Sequence, residues 1–176
     1  IHSLLVLEND FLQLKEFFGV DIHGIIGYDI FRRFVVKVDY INHQFILYEP
    51  KEYKPPWLYK EVQMDVLSGK PYINAKIFSN ETGFDARLMV DLGASHSGLF
   101  EIGSHDSLYL PNKYIDAHLG RGLGGEINGY QARIPEIGIG EFAIKNVIVN
   151  YTQPYSYITE NRRVKRNGTI GGEILS

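Results

Sequence analysis

The residues best suited to chemistry are Asp91-Leu92-Gly93-Ala94-Ser95, which follow Leu88-Met89-Val90. An apolar run delivers a carboxylate into a turn of small residues. Taking a carboxylate out of water is costly unless hydrogen bonds compensate. The N–H of Gly93 or Ala94 and the Ser95 hydroxyl are close enough in sequence to supply them. A carboxylate held in this way can take up or release a proton in general acid–base chemistry. On these residues alone, an aspartate in an ordinary strand-end turn is the plainer reading, and the rest of the chain decides between the two.

Two stretches of the chain echo each other. Gly24-Ile25-Ile26-Gly27-Tyr28-Asp29-Ile30-Phe31 and Gly168-Thr169-Ile170-Gly171-Gly172-Glu173-Ile174-Leu175 lie 144 residues apart (24 to 168) and are identical at 24/168, 26/170, 27/171 and 30/174. The pair 29/173 is acidic in both. Upstream, Ile1-His2-Ser3-Leu4-Leu5-Val6 reads like Ile144-Lys145-Asn146-Val147-Ile148-Val149, with a change of one in the offset. A long-period repeat implies a duplicated lobe. A lone carboxylate on a strand-to-glycine turn, inside a duplicated chain, points to chemistry done by two such carboxylates.

The elements that must position Asp91 are mostly strands. Phe34–Tyr40 and Gln44–Tyr48 flank an Asn42-His43 turn and form a hairpin candidate. Lys60–Val66 and Pro71–Phe78 alternate around Ser68-Gly69, and Asp85–Val90 leads into Asp91. Ile127–Ile139 and Phe142–Tyr151 are further strands, and many short strands at close spacing argue for an all-β sandwich or barrel. Gly24–Gly27 reads as a short buried apolar run, and Tyr28–Phe34 as one helical turn. Asp10, with Gln13 at the capping-box position, opens a two-turn helix that Gly19 can end. A second short helix is expected within Ser107–Leu119. Glu49–Pro56 is polar, and its Pro55-Pro56 pair makes it the best linker. The expected organisation is 1–50, a linker at 51–58, and 59–176.

Composition excludes several classes. The chain has 176 residues, 44% of them hydrophobic, enough to bury a core, and 12 Tyr, 10 Phe and 18 Gly suit short strands with tight turns. A net charge of −3 leaves no footprint for nucleic acid or an anionic membrane. The Arg162-Arg163-Val164-Lys165-Arg166 cluster reads as a solvated loop. There are no cysteines, which removes disulfides, thiolate metal sites and a cysteine nucleophile. No apolar run approaches the ~20 residues of a membrane span. The histidines have no metal-ligand spacing. Gly120-Arg121-Gly122-Leu123-Gly124-Gly125 matches G-x-G-x-x-G, but the residues after it alternate and contain Pro135, so no helix opens for a dinucleotide. Ser95 and His96 are adjacent and point to opposite faces of an extended chain, which argues against a serine hydrolase. Asn80-Glu81-Thr82 and Asn167-Gly168-Thr169 are glycosylation sequons of a kind common by chance.

The order of motifs resembles the retropepsin-like aspartic proteases. Apolar-Asp-x-Gly-Ala-Ser is followed by the glycine-rich stretch Gly122–Gly129, a strand ladder, and Gly168-Thr169-Ile170-Gly171. That family carries Asp-Thr-Gly-Ala, a glycine-rich hairpin flap, and an apolar-apolar-Gly strand packed under the aspartate loop. Residues 1–50 are also similar to the end of a lobe of the bacterial two-lobed members. The resemblance implies an all-β, acid-protease-like closed barrel with one or two short helices. It makes Asp91 catalytic, Leu92, Gly93, Ala94 and Ser95 its loop, Gly122, Leu123, Gly124 and Gly125 the flap, and Ile170 and Gly171 the supporting strand. It implies an extended peptide or protein substrate, chemistry that needs no metal or organic cofactor, and a periplasmic or secreted bacterial setting.

Two departures qualify that picture. Leu92 stands where the family has a threonine that ties two aspartate loops together. The chain also holds one Asp-x-Gly, and counting back 144 residues from Asp91 leads ahead of residue 1. The expectation is therefore a fragment: the tail of one lobe (1–50) and a second lobe (59–176) lacking its terminal hairpin. The partner aspartate then comes from an upstream lobe or a second copy of the chain. Hairpin 34–48 is a candidate to fill the place of the missing hairpin, in cis or between copies. The rival reading is a degenerate protease-like β-domain that binds extended peptides without cleaving them.

Overall fold

The computed structural model describes residue 6 and residues 14–79, 83–122, 125–153 and 164–176. Among these, the helices are α1 (Leu14–Phe18), α2 (Tyr28–Phe31) and α3 (Gly172–Leu175). The strands are β1 (Val35–Asp39), β2 (Gln44–Tyr48), β3 (Met64–Leu67), β4 (Lys70–Phe78), β5 (Gly83–Asp91), β6 (Gly98–Glu101), β7 (Tyr114–Gly122), β8 (Gly125–Ile139), β9 (Phe142–Thr152) and β10 (Gly168–Gly171). The fold is all-β, as the spacing of short alternating segments predicts. No described helix is long and apolar enough to cross a membrane.

The β1–β2 hairpin forms where it is expected, with His43 in the left-handed region at φ 53. Its turn is tied by Asp39, which accepts from the Asn42 backbone N–H at 3.0 Å and from Lys37 Nζ at 3.0 Å. These donors, the Asn42 N–H first, hold the Asp39 carboxyl at about 2, below its ordinary 3.8. The sign follows from a depressed folded value: the contribution is present above the ordinary carboxylate range and is lost as pH falls through about 2. A carbon-detected NMR titration of Asp39 is expected to show its midpoint at about 2, with the Asn42 amide shifting in step. A midpoint near 3.8 would mean the turn does not hold the carboxylate.

The large sheet has strand order β3-β4-β5-β10-β6-β9-β8-β7, and an additional β4–β8 pairing closes six of its strands into a ring. Alternation explains the interior. Ile73, Ala75 and Ile77 of β4, Phe84, Ala86 and Leu88 of β5, and Val147, Val149 and Tyr151 of β9 all point inward. Phe100 and Ile170 complete the core between them. Pro135 lies inside β8, where a ladder N–H is normally required. It is tolerated because β8 changes partner there: residues 125–132 pair with β7, and residues 136–138 pair with β4. Opposite Pro135, Asn146 adopts φ 57, and the buried face of β8 switches from Ala132 and Ile134 to Ile137 and Ile139.

Four expectations are corrected here. Residues 107–119 hold no helix: Pro111 blocks one, and the residues from Tyr114 onward alternate as strand β7 against β8. Gly24–Gly27 is not buried, for Ile25 is 69% and Ile26 62% exposed, and no described strand flanks them. The β1–β2 hairpin takes no place in the large sheet of its own chain and stands as a separate two-stranded sheet. Arg166 does not belong to a solvated loop, because its guanidinium is buried against Glu101. Arg162 and Arg163 lie outside the described residues, as do the Asp10 cap and Gln13.

Candidate functional site

Asp91 is the last residue of β5 and is half-buried. Its neighbour in the sheet is Gly171, because β10 runs parallel to β5 with Leu88 opposite Gly168 and Asp91 opposite Gly171. On its other side β10 runs antiparallel to β6, with Gly168 opposite Phe100 and Ile170 opposite Gly98. The chain leaves β5 at Asp91, loops over 92–97 and returns as β6, while β10 threads between the two strands beneath that loop.

The entrance to this slot is pinned by polar side chains. Arg87 N–H donates to Asn167 Oδ1 at 2.8 Å, and Asn167 N–H donates to the Arg87 carbonyl at 2.8 Å. The Asn167 amide also donates to the Ser104 carbonyl at 3.1 Å, so this sequon side chain serves the fold itself. Arg166 Nε meets Glu101 Oε1 at 3.0 Å with both side chains buried. Charge-assisted bonds of this kind fix geometry best when both partners are screened from water.

Small residues let the loop sit directly on β10. Gly171 N–H donates to the Ser97 carbonyl at 3.1 Å, and Gly172 N–H to the Ala94 carbonyl at 2.7 Å. A Cβ on Gly171 would lie 1.9 Å from the His96 carbonyl oxygen and 2.9 Å from that of Ala94. The backbone of Gly171 is ordinary extended, with φ −106, so closeness rather than dihedral angle demands glycine here. Ile170 below it is fully buried. The loop and the pair Ile170-Gly171 are thus brought together.

Within the loop, Gly93 N–H donates to Asp91 Oδ1 at 3.0 Å, and Ala94 N–H closes a turn on the Asp91 carbonyl at 3.2 Å. The first bond is the predicted one. Ser95 is exposed and is not among the described partners of the Asp91 carboxylate. Leu92 is 39% exposed at the loop tip, presenting an apolar group to the outside. The sequence assigned no part in the site to three neighbours. Ser97 is buried, and its Oγ donates to Glu173 Oε2 at 2.8 Å. His96 has a buried Nε2 with no hydrogen-bond partner. Burial pushes its imidazole below its ordinary value, against the opposing pull of Asp91 and then Glu173. The signal for Glu173 was present in the repeat, as the acid shared by 29 and 173.

The glycine-rich segment forms the end of a long β7–β8 hairpin, with Gly122 opposite Gly125. Leu123 and Gly124 at its tip lie outside the described residues. A bulge between His118 and Gly120 interrupts the register, and Gly120 takes φ 114. Lower down, a Cβ on Gly129 would meet the Tyr151 carbonyl oxygen at 2.1 Å, which holds this hairpin close against β9. No hydrogen bond joins it to the 91–97 loop among the described residues. No three described His, Asp or Glu side chains converge on a metal-sized site.

The repeat is structural as well as sequential. Gly27 and Gly171 are both extended residues that open a four-residue helix, α2 from Tyr28 and α3 from Gly172. What differs is cover: β10 is buried along its length, whereas residues 24–27 are exposed. No protein-family model matches the chain, and no curated protein does.

Proposed function

We propose that this chain carries one half of an aspartic endopeptidase site of the retropepsin-like kind, with Asp91 as one of two reacting carboxylates. The observation that carries this reading is β10 threaded between β5 and β6 under the Asp91 loop. That arrangement holds a half-buried carboxylate at the end of β5, beside the buried β10.

The chemistry needs a second carboxylate close by. Two such groups cannot both ionise easily, so they share one proton and titrate as a unit. The ionised member takes a proton from a bridging water, which attacks the scissile carbonyl. The protonated member donates its proton to the carbonyl oxygen; the carboxylate that took the proton from water then passes it to the leaving nitrogen as the C–N bond breaks, and the other member recovers a proton from the collapsing diol. The Gly93 N–H on Oδ1 fixes the orientation of the Asp91 carboxylate. The peptide lies extended beneath the β7–β8 hairpin, where glycine backbone can approach it and add strand-like hydrogen bonds.

The uncovered first repeat supports an upstream lobe as the source of the partner. In the second copy an aspartate loop covers Gly168–Gly171, and the same extended segment at 24–27 stands bare. A second copy of this chain has its own Asp91 loop already seated on its own β10. An upstream lobe with a free aspartate loop therefore fits residues 24–31 better than a homodimer does.

Peptide hydrolysis at acidic pH, measured against chain concentration, tests this. The 176-residue chain alone is expected to be inert at every concentration, and activity is expected when an upstream lobe bearing Asp-x-Gly is joined to it. A rate rising with the square of chain concentration would assign the partner to a second copy. Binding of a peptide with a secondary alcohol in place of the scissile amide, without hydrolysis in any assembly, would identify the degenerate peptide-binding domain instead.

A further inference from the structure

The Asp91 loop is held to β10 by backbone hydrogen bonds at Gly171 and Gly172. One side-chain bond adds to them at the loop's far end, from Ser97 Oγ to Glu173 Oε2 at 2.8 Å. We propose that Glu173 is a positioning residue for Asp91, a clasp that acts through Ser97 and holds the whole 92–97 loop down on the β10–α3 corner. The proposal rests on the reading of Asp91 as the reacting carboxylate, but the clasp itself can be measured without catalysis.

Three observations carry it. First, Ser97 is 6% exposed, and the acceptor its hydroxyl reaches is the carboxylate of Glu173, a residue that is itself exposed. A buried hydroxyl whose acceptor is removed bears its full desolvation cost, and a carboxylate acceptor makes the bond stronger than a neutral one. Second, the acid recurs at the same place in both copies, as the second residue of a four-residue helix that follows an extended glycine. The repeat has diverged around it, at 25/169 and 28/172, so retention of the acid calls for a cause. In the first copy Asp29 is exposed and turns to Arg32 of its own helical turn, at 3.0 Å. In the second the residue three further on is Ser176, and Glu173 reaches across to the loop instead. Third, His96 lies between the two ends of the loop with its Nε2 buried and unpartnered, in the field of both Asp91 and Glu173. A loop that lifted would expose that ring, so the imidazole reports on the clasp.

The geometry gives each tie a separate role. The Gly93 N–H orients the Asp91 carboxylate locally. The Ala94 and Ser97 carbonyls seat the loop on Gly172 and Gly171. The Ser97–Glu173 bond resists lifting at the β6 end, where the loop would otherwise open by hinging about Asp91.

Amide hydrogen exchange and the His96 titration test the clasp on the chain as it stands. In Ser97→Ala and Glu173→Ala, the Gly171 and Gly172 amides are expected to exchange about tenfold faster or more. Barrel amides such as that of Ile77 should keep their wild-type rates. In Ser97→Ala, which keeps the Glu173 charge, the His96 ring should titrate closer to its ordinary value as it gains solvent. Glu173→Gln keeps an acceptor for the Ser97 hydroxyl but removes a charge facing His96. Its glycine amides should exchange as in wild type, while His96 titrates lower. If Glu173→Ala leaves both glycine amides within about twofold of wild type, Glu173 is a solvated surface acid and the clasp is wrong. In an assembly that hydrolyses peptides, Glu173→Ala should lower kcat with KM little changed, and Glu173→Gln should restore most of it. A clasp seen by exchange in a chain that hydrolyses nothing in any assembly would leave the clasp standing and remove the peptidase reading.

Discussion

Asp91→Asn is expected to lower kcat for peptide hydrolysis about 10²–10⁴-fold in the assembly that completes the carboxylate pair. The loop should survive the change. Asparagine keeps an Oδ1 to accept the Gly93 N–H, which lies 3.0 Å from that atom. The Ala94 turn and the two glycine bonds beneath the loop are all made by backbone. What the amide cannot do is hold a removable proton, so the loss falls on the chemical step. The thermal midpoint of this chain should change little. The pH profile carries a second check. A working pair gives a bell with two macroscopic pKa values that belong to both carboxylates, so Asp91→Asn should abolish the bell rather than displace one limb. Full activity in Asp91→Asn would remove Asp91 from the chemistry and leave the loop as a structural turn.

Much of this site was legible because its parts are local. Leu88-Met89-Val90 before Asp91 marks a strand, Gly93 marks the turn, and the echo of 24–31 in 168–175 marks the supporting segment. The hairpin at 35–48, the turn at Ser68-Gly69 between β3 and β4, and the strands at 85–90, 127–139 and 142–151 were visible as alternation and turn residues. What escaped was what depends on distant contacts. β6 has four residues and too little pattern to be seen. The insertion of β10 between β5 and β6 joins residues about 70–80 positions apart, and no local propensity encodes it. The Ser97–Glu173 bond spans 76 positions. Gly24–Gly27 misled for an instructive reason. Its composition fits a buried strand, as the second copy demonstrates, but burial belongs to the neighbours and not to the segment. Arg166 was misread the same way: its sequence neighbours are polar, while its partner Glu101 lies 65 residues away.

The same contrast gives the sharpest test of the duplicated design, in paired glycine-to-alanine substitutions 144 residues apart. Gly171→Ala is expected to destabilise the chain by about 3 kcal/mol or more. Its Cβ would lie 1.9 Å from the His96 carbonyl oxygen, a backbone atom that can move only if the Asp91 loop lifts off β10. Gly27→Ala is expected to stay within about 1 kcal/mol of wild type. Gly27 has the same role at the head of a helical turn, φ −123 suits alanine, and nothing lies within 4 Å of the added Cβ. Urea denaturation of the two variants measures the difference directly. The asymmetry should then vanish when the partner lobe is present. If its aspartate loop seats on residues 24–27 as the Asp91 loop seats on 168–171, Gly27→Ala meets a backbone carbonyl there and the assembly loses affinity and activity together. An assembly indifferent to Gly27→Ala would mean that the first copy is covered in some other way. The pairing of two equivalent aspartate loops would then have to be abandoned, even with Asp91 still required for hydrolysis.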